Sequence, residues 1–233
     1  MTGTFLNIVT ILIGSTLGLL FGARIPERLK TTVIAGLGLF VAAMGLQMFL
    51  KSENQLIVLG ALIIGALLGE WGKIEDRLES LGQSLEKRFA RDAEADSGSK
   101  FVRGFMVASL LYCIGPLAIL GSIQDGLTGD YKLLAVKSTL DGFASIAFAS
   151  TLGIGVMFSA LVVLIYQGGI SLLAAQLSTI ITNPMMNELT ATGGVLLFGL
   201  AISNLLEIKK IRVGNFLPAL AIAPLIVWIL SLL

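Results

Sequence analysis

An all-α polytopic membrane bundle of about eight helices, arranged as two parallel four-helix repeats, is the fold class this sequence predicts. Three observations lead there. Hydrophobic residues make up 55% of the 233-residue chain, charged residues only 13%, and the mean hydropathy is +0.91, whereas soluble domains carry roughly 25% charged residues. Stretches of about 17 to 22 residues almost free of charge follow one another, each long enough to cross a hydrocarbon core of roughly 30 Å. No strand-like alternation interrupts them, which argues against a β-barrel. Finally, short motifs return in the same order. Ser15-Thr16-Leu17-Gly18 recurs as Ser150-Thr151-Leu152-Gly153, Leu62-Ile63-Ile64-Gly65 as Leu196-Leu197-Phe198-Gly199, and Gly115-Pro116-Leu117 as Ala223-Pro224-Leu225. Sequential order of this kind points to a unit duplicated head to tail, with an insertion between residues 78 and 103 shortening the third offset.

The apolar runs place spans at 4–22, 31–49, 55–72, 101–121, 131–152, 155–176, 191–207 and 215–232. Met1-Thr2-Gly3-Thr4 lacks a basic flank, so the first run reads as a retained helix and not as a cleaved signal. The segments after the first, third and seventh spans, with Arg103 at the edge of the second of them, hold 13 of the 16 Lys and Arg residues. The positive-inside rule makes all three loops cytoplasmic and puts both termini outside. Residues 1–77 then form the first repeat's opening three spans, 78–100 a cytoplasmic insertion, 101–130 the fourth span with a Gly-rich outer segment, and 131–233 the second repeat. Within the insertion, Leu78, Leu81, Leu85 and Phe89 recur at helical spacing among mixed charges, the pattern of an amphipathic helix on the cytoplasmic face. Residues 91–100 read as a linker. Gly14, Gly18 and Gly22, and again Gly65 and Gly69, have the four-residue spacing that lets membrane helices approach closely, and Gly-rich faces favour a homodimer.

Composition excludes several chemistries. The chain has no His and a single cysteine, Cys113, which removes His-based acid–base catalysis, His/Cys metal sites, His-ligated haem and an intrachain disulfide. No Ser-Lys or paired-aspartate arrangement at a recognised spacing is present either, so no enzyme and no cofactor are expected. A net charge of +1 predicts no nucleic-acid partner.

Polar residues inside the apolar runs mark the candidate site. Gly121-Ser122-Ile123-Gln124-Asp125-Gly126-Leu127-Thr128-Gly129-Asp130 follows Pro116, which disrupts the fourth span and frees carbonyls; this decapeptide reads as a turn or a re-entrant segment. Lys137 and Asp141 sit one helical turn apart in the fifth span, where a lone charge costs about 2.5–3.5 kcal/mol. Two readings stay open. The pair neutralises itself and locks the helix to its neighbours, or Asp141 is a ligand for an ion or solute and Lys137 tunes it or pairs with Asp125. Ser138, Ser145, Ser150 and Thr151 extend the polar line, although a buried hydroxyl also satisfies itself on its own helix. Superposing the repeats sets Asn7 beside Asp141, and Glu70 against Asn204. Glu70 also reads as an interfacial residue beside Trp71. In the last span, Asn215, Pro218 and Pro224 predict a second broken helix, and interrupted helices in matching positions of two repeats point to a midplane site. Asn183-Pro184-Met185-Met186-Asn187-Glu188 reads as a short outer surface loop.

The motifs at 121–130, Lys137-Ser138-Thr139-Leu140-Asp141-Gly142, Gly193-Gly194 and Asn215-Phe216-Leu217-Pro218-Ala219-Leu220 resemble those of the bacterial YdfK/YqgA-like integral membrane proteins, a family built on a domain of unknown function. The resemblance covers essentially the whole chain. It implies an inner-membrane protein and, at most, a transporter candidate.

From the residues, the expected function is a small transporter or channel for a cation or small polar solute. Its site would lie between the broken fourth and eighth spans and the polar fifth. Asp125 and Asp141 would give carboxylate oxygens, with Asn7, Asn215, Ser122, Gln124 and Ser138 as neutral groups and Lys137 as the counter-charge. Such a set suits a hard cation such as Na⁺ or H⁺ and leaves any metal unspecified. The alternative is a non-transporting membrane scaffold or sensor that holds a partner through its cytoplasmic segment.

Overall fold

The computed structural model describes residues 1–22, 24–89 and 95–232, and every regular element among them is helical. In order they are α1 (Thr2–Gly22), α2 (Glu27–Phe49), α3 (Gln55–Gly72), α4 (Ile74–Phe89), α5 (Ala95–Cys113), α6 (Pro116–Thr128), α7 (Lys132–Leu152), α8 (Ser159–Leu172), α9 (Ala174–Ser178), α10 (Asn183–Leu200) and α11 (Ala219–Leu230). Short 3₁₀ turns at Ile154–Phe158 and Val213–Phe216 lead into α8 and α11, and a π-helical turn, Ala201–Leu205, closes α10. Seven segments are long and apolar enough to cross a membrane, and an eighth crossing results if residues 100–113 and 116–128, bent by 63°, form one broken span. Of the linker expected at 91–100, residues 91–94 lie outside the described residues and 95–100 begin α5.

The chain folds as two compact units, each drawing helices from both halves of the sequence. One holds Met1–Ala35, Glu79–Cys113 and Leu117–Thr179; the other holds Gly36–Leu78, Ile114–Pro116 and the chain from Ile180 onward.

In the first unit α1 lies along α7. The buried face of α1 is Gly3, Thr4, Asn7, Ile11, Gly14, Ser15, Gly18 and Gly22, all at three- and four-residue steps. Its outer face is Phe5, Val9, Leu12, Ile13, Leu17, Leu20 and Phe21. This inverts the pattern of a soluble helix. In lipid there is no gain in hiding leucine, so the protein-facing side carries the small and polar residues that pack tightly or hydrogen-bond. Glycine is required here, because a Cβ at 14, 18 or 22 would run into the carbonyl oxygens of Gly142, Ile146 and Ser150. Helix α7 ends at Gly153, whose φ of +83° turns the chain into the following 3₁₀ segment.

Helix α4 keeps its expected amphipathic character, with Glu75 and Asp76 in its first turn and Lys87 and Arg88 in its last, complementing the helix dipole. Its buried Gly82 packs on Phe105, while the rings of Phe89 and Phe101 meet Phe158 at centroid distances of 5.1 and 5.3 Å.

In the second unit α3 packs on α11 through Gly65 against Ala219 and Gly69 against Asn215, and α2 meets α10 where Gly45 and Gly194 face each other. Ala61, Ala219, Ile222 and Ala223 form a small-residue core flanked by Leu62 and Ile226. Asn54 caps α3 by accepting from Leu56 N at 3.1 Å. The last span is interrupted as its prolines predict: 3₁₀ backbone runs to Phe216, Pro218 precedes α11, and Pro224 sits inside it.

Two local expectations are corrected. Of the two readings of 121–130, the turn is overturned: residues 121–128 are the second half of α6, one arm of a helix pair bent by 63°, the geometry of a broken span or of a re-entrant loop. Their glycines serve packing: Gly121 lies against Leu134 and Gly126 against Ser171 and Ala174, and only Gly129, at φ +72°, makes a turn. Residues 183–188 are likewise not a surface loop but the first turns of α10. Thr182 caps them, Pro184 sits in the opening turn where its missing N–H costs nothing, and Glu188 is buried.

Candidate functional site

Buried polar side chains from α1, α5 and α8 meet one ion pair on α7. Lys137 Nζ pairs with Asp141 Oδ2 one helical turn away, and Asn7 Nδ2 of α1 donates to the same oxygen at 2.9 Å. The Asn7 amide also donates to Gln167 Oε1 of α8 at 3.2 Å. Lys137 Nζ lies 5.9 Å from the centroid of the Tyr112 ring, and Tyr112 shares a 2.7 Å hydrogen bond with Ser145 Oγ. One ammonium and one carboxylate cancel, which is how both are tolerated within an apolar span, and the ring face adds a weak cation–π attraction.

Hydrogen-bond accounting around that pair does not close. The carboxylate fixes the orientation of the Asn7 amide, because only its nitrogen can donate; Asn7 in turn fixes Gln167. Asn7 Oδ1 and Gln167 Nε2 are then buried with no hydrogen-bond partner among the described residues, as are Thr4 Oγ1 and Ser15 Oγ on α1 and Ser122 Oγ and Asp125 Oδ1 on α6.

Asp125 has a different role from Asp141. Its Oδ2 accepts from Gly3 N at 3.0 Å and lies 3.2 Å from the Met1 amino nitrogen, so it caps the start of α1. Its side chain is 0% exposed, whereas that of Asp141 retains 12%. The open question of which acid Lys137 takes is answered by geometry, since Asp141 shares its helix face.

A family model described as a protein of unknown function, DUF554, matches residues 2–228. The chain belongs to that family. It is 33% identical over 234 residues to the uncharacterized membrane protein YdfK of Bacillus subtilis (strain 168), covering 99% of this chain and 97% of that one. It is 31% identical over 221 residues to the uncharacterized protein YqgA of Escherichia coli (strain K12), covering 95% and 94%. No solved structure matches it significantly.

Within this DUF554 chain the remaining candidates disperse. Ser138 Oγ donates to Leu134 O at 2.6 Å, satisfying its own helix. The Ser122 carbonyl accepts from Ser171 Oγ at 3.0 Å. Gln124 Nε2 donates to Asp130 Oδ2 at 3.3 Å, near the end of α6. Asn215 belongs to the second unit, where its Oδ1 accepts from Glu75 N at 2.8 Å and its Nδ2 donates to Glu70. Glu70 in turn pairs with Arg212 at 2.9 Å, and both are more than half exposed beside an apolar groove along α3. The interfacial reading of Glu70 fits this position.

Three residues of this family member were not singled out from its sequence. Gln167 was the most legible, an amide inside the apolar run of α8. Tyr112 carries no sequence signal beyond its place before the break at Gly115. Glu188 was hidden by the turn-like Asn183-Pro184 in front of it. Its Oε1 accepts from Glu53 N and Asn54 N at 2.8 and 2.9 Å, and its Oε2 from Ser52 Oγ at 2.8 Å. A buried carboxylate on α10 thus caps the N-terminus of α3.

Proposed function

We propose that this membrane protein is a small transporter or channel for a cation or small polar solute, with its site at Lys137, Asp141, Asn7 and Gln167. The supporting observation is the pair of buried polar atoms, Asn7 Oδ1 and Gln167 Nε2, that have no partner among the described residues and belong to side chains hydrogen-bonded to one another, Asn7 also to Asp141. An unsatisfied group in the hydrocarbon region costs several kcal/mol, so two of them beside an ion pair support a site visited by something hydrophilic. The 63° bend between residues 100–113 and 116–128 adds a discontinuous segment of the kind that lines such pathways. The inner membrane is the location this reading takes from the family resemblance, and the orientation, with both termini outside and the basic loops in the cytoplasm, is taken from the charge distribution.

The test is flux through purified protein reconstituted into liposomes. Asp141→Asn keeps the shape of the site and removes its charge, and flux is expected to fall about tenfold or more, the scale of one lost charged contact. Wild-type flux in that variant excludes Asp141 from the pathway. Replacing the exposed Arg77, Lys87 and Arg88 of α4 by Glu separates this function from a scaffold or sensor: the transporter keeps its flux, while a scaffold loses its cytoplasmic partner.

A further inference from the structure

The arrangement around Asp141 carries a more specific assignment, which rests on the transport reading above. We infer that the Lys137 ammonium stands in for a small monovalent inorganic cation at Asp141, and that such a cation competes with Lys137 for that carboxylate.

Charge sets the valence. The centre offers a single carboxylate, and among the described residues no group of three or more His, Cys, Asp or Glu side chains converges anywhere. One negative charge balances one positive charge; a divalent ion would leave an excess in the low-dielectric interior. The donor atoms set the hardness. Asp141 Oδ2 and the amide oxygen of Asn7 are hard oxygen ligands of the kind Na⁺ and Li⁺ prefer over soft sites.

Beside the Asp141 carboxylate lies a buried acceptor with no donor among the described residues. Asn7 is 0% exposed, its nitrogen is held on Asp141, and Oδ1 on the same carboxamide has no donor. Lys137 satisfies the carboxylate and leaves that oxygen unused; a bare cation between them would use both. Access also differs between the two acids of the unit. Asp125 is sealed by the backbone of α1, while the Asp141 side chain keeps 12% of its surface open. For the charge to balance, entry of the cation at Asp141 is coupled to loss of one ammonium proton from Lys137 to water, so that the centre keeps one positive and one negative charge.

The experiment uses the full chain in lipid nanodiscs, melted in NaCl, LiCl, KCl or choline chloride at equal ionic strength and above neutral pH. Lys137→Met removes the internal cation and keeps the bulk of its stem. Its melting temperature is expected to rise by about 3 °C or more in NaCl or LiCl over choline chloride, the size of a saturated single-site effect. Wild type should shift by less than a third of that, and Asp141→Asn and the Lys137→Met/Asp141→Asn double variant not at all. Equal melting of Lys137→Met in all four salts overturns the inference, as does its failure to fold in NaCl when the double variant folds. An infrared difference spectrum of wild type, Na⁺ minus choline, needs no variant: it should show a perturbed carboxylate stretch, and a flat spectrum overturns the assignment. Solute flux that runs equally well in choline would overturn the competition while leaving transport standing. Cation-dependent melting without flux would do the reverse.

Discussion

Replacing Gly18 with leucine is expected to remove the protein from the folded, monodisperse fraction in detergent. The α1–α7 contact is backbone against backbone: positions 14, 18 and 22 of α1 face the carbonyl oxygens of Gly142, Ile146 and Ser150 in turn. Inserting side-chain volume into a filled interior costs typically 1–3 kcal/mol when neighbouring side chains can move aside, and more when they cannot. Here the obstacle is the backbone of α7, so relief requires separating the two helices. That separation breaks the Asn7–Asp141 hydrogen bond as well. Gly18→Ala should cost about 2–3 kcal/mol, and Gly18→Leu a large part of the roughly 5–15 kcal/mol that holds a domain together. Gly36 on α2 provides the control, since no atom lies within 4 Å of a Cβ built there. Gly36→Ala should be neutral or slightly stabilising through helix propensity. Thermal melts with size-exclusion profiles read both; comparable melting of Gly18→Leu and Gly36→Leu would refute the close-packing account.

That seam was legible in the sequence because its signal is local. Four-residue glycine spacing in an apolar run admits few readings, and the buried face of α1 follows it directly. Asn7 and Asp141 were each legible as polar residues inside apolar runs, and the packing of α1 on α7 brings them into contact. Other features failed for opposite reasons. The decapeptide at 121–130 has the composition of a turn, yet Gly121 and Gly126 are small because Leu134 and Ser171 press against them. Composition reports that a residue is small; it does not report whether the reason is a bend or a neighbour. Asp125 was recognised as an unusual acid in an apolar stretch, but its partner, Gly3, is 122 positions away. Nothing local distinguishes a carboxylate that caps a distant helix from one that binds an ion. Gln167 was missed because a single amide in an apolar helix is a faint signal until Asn7 is seen to touch it.

The same blindness to distant caps conceals Glu188, whose removal should have the second largest effect. Helix α3 follows α2 after a loop of only a few residues, and the backbone N–H groups of Glu53 and Asn54 in that loop donate to a side chain of α10. Glu188 Oε1 accepts from both, and Oε2 accepts from Ser52 Oγ, while the residue itself is 2% exposed. Three hydrogen bonds to one carboxylate, each worth about 1.5–3 kcal/mol when the group is charged, sit where the dipole of α3 also favours a negative charge. Glu188→Ala loses all of them and leaves the two backbone donors of the exposed residues Glu53 and Asn54 to water. Allowing for partial relaxation and water entry, the expected cost is about 3 kcal/mol, a drop in melting temperature of roughly 6–12 °C for a chain of this size. Glu188→Gln keeps one acceptor oxygen for the two backbone N–H groups and sacrifices the charge and the Ser52 contact, so its loss should be about half as large. Ser52→Ala, which removes only the hydroxyl, should cost less again. If the three variants melt in any other order, the carboxylate is not acting as the cap. If Glu188→Ala melts as wild type does, water alone satisfies the start of α3, and the acid on α10 must be assigned another purpose.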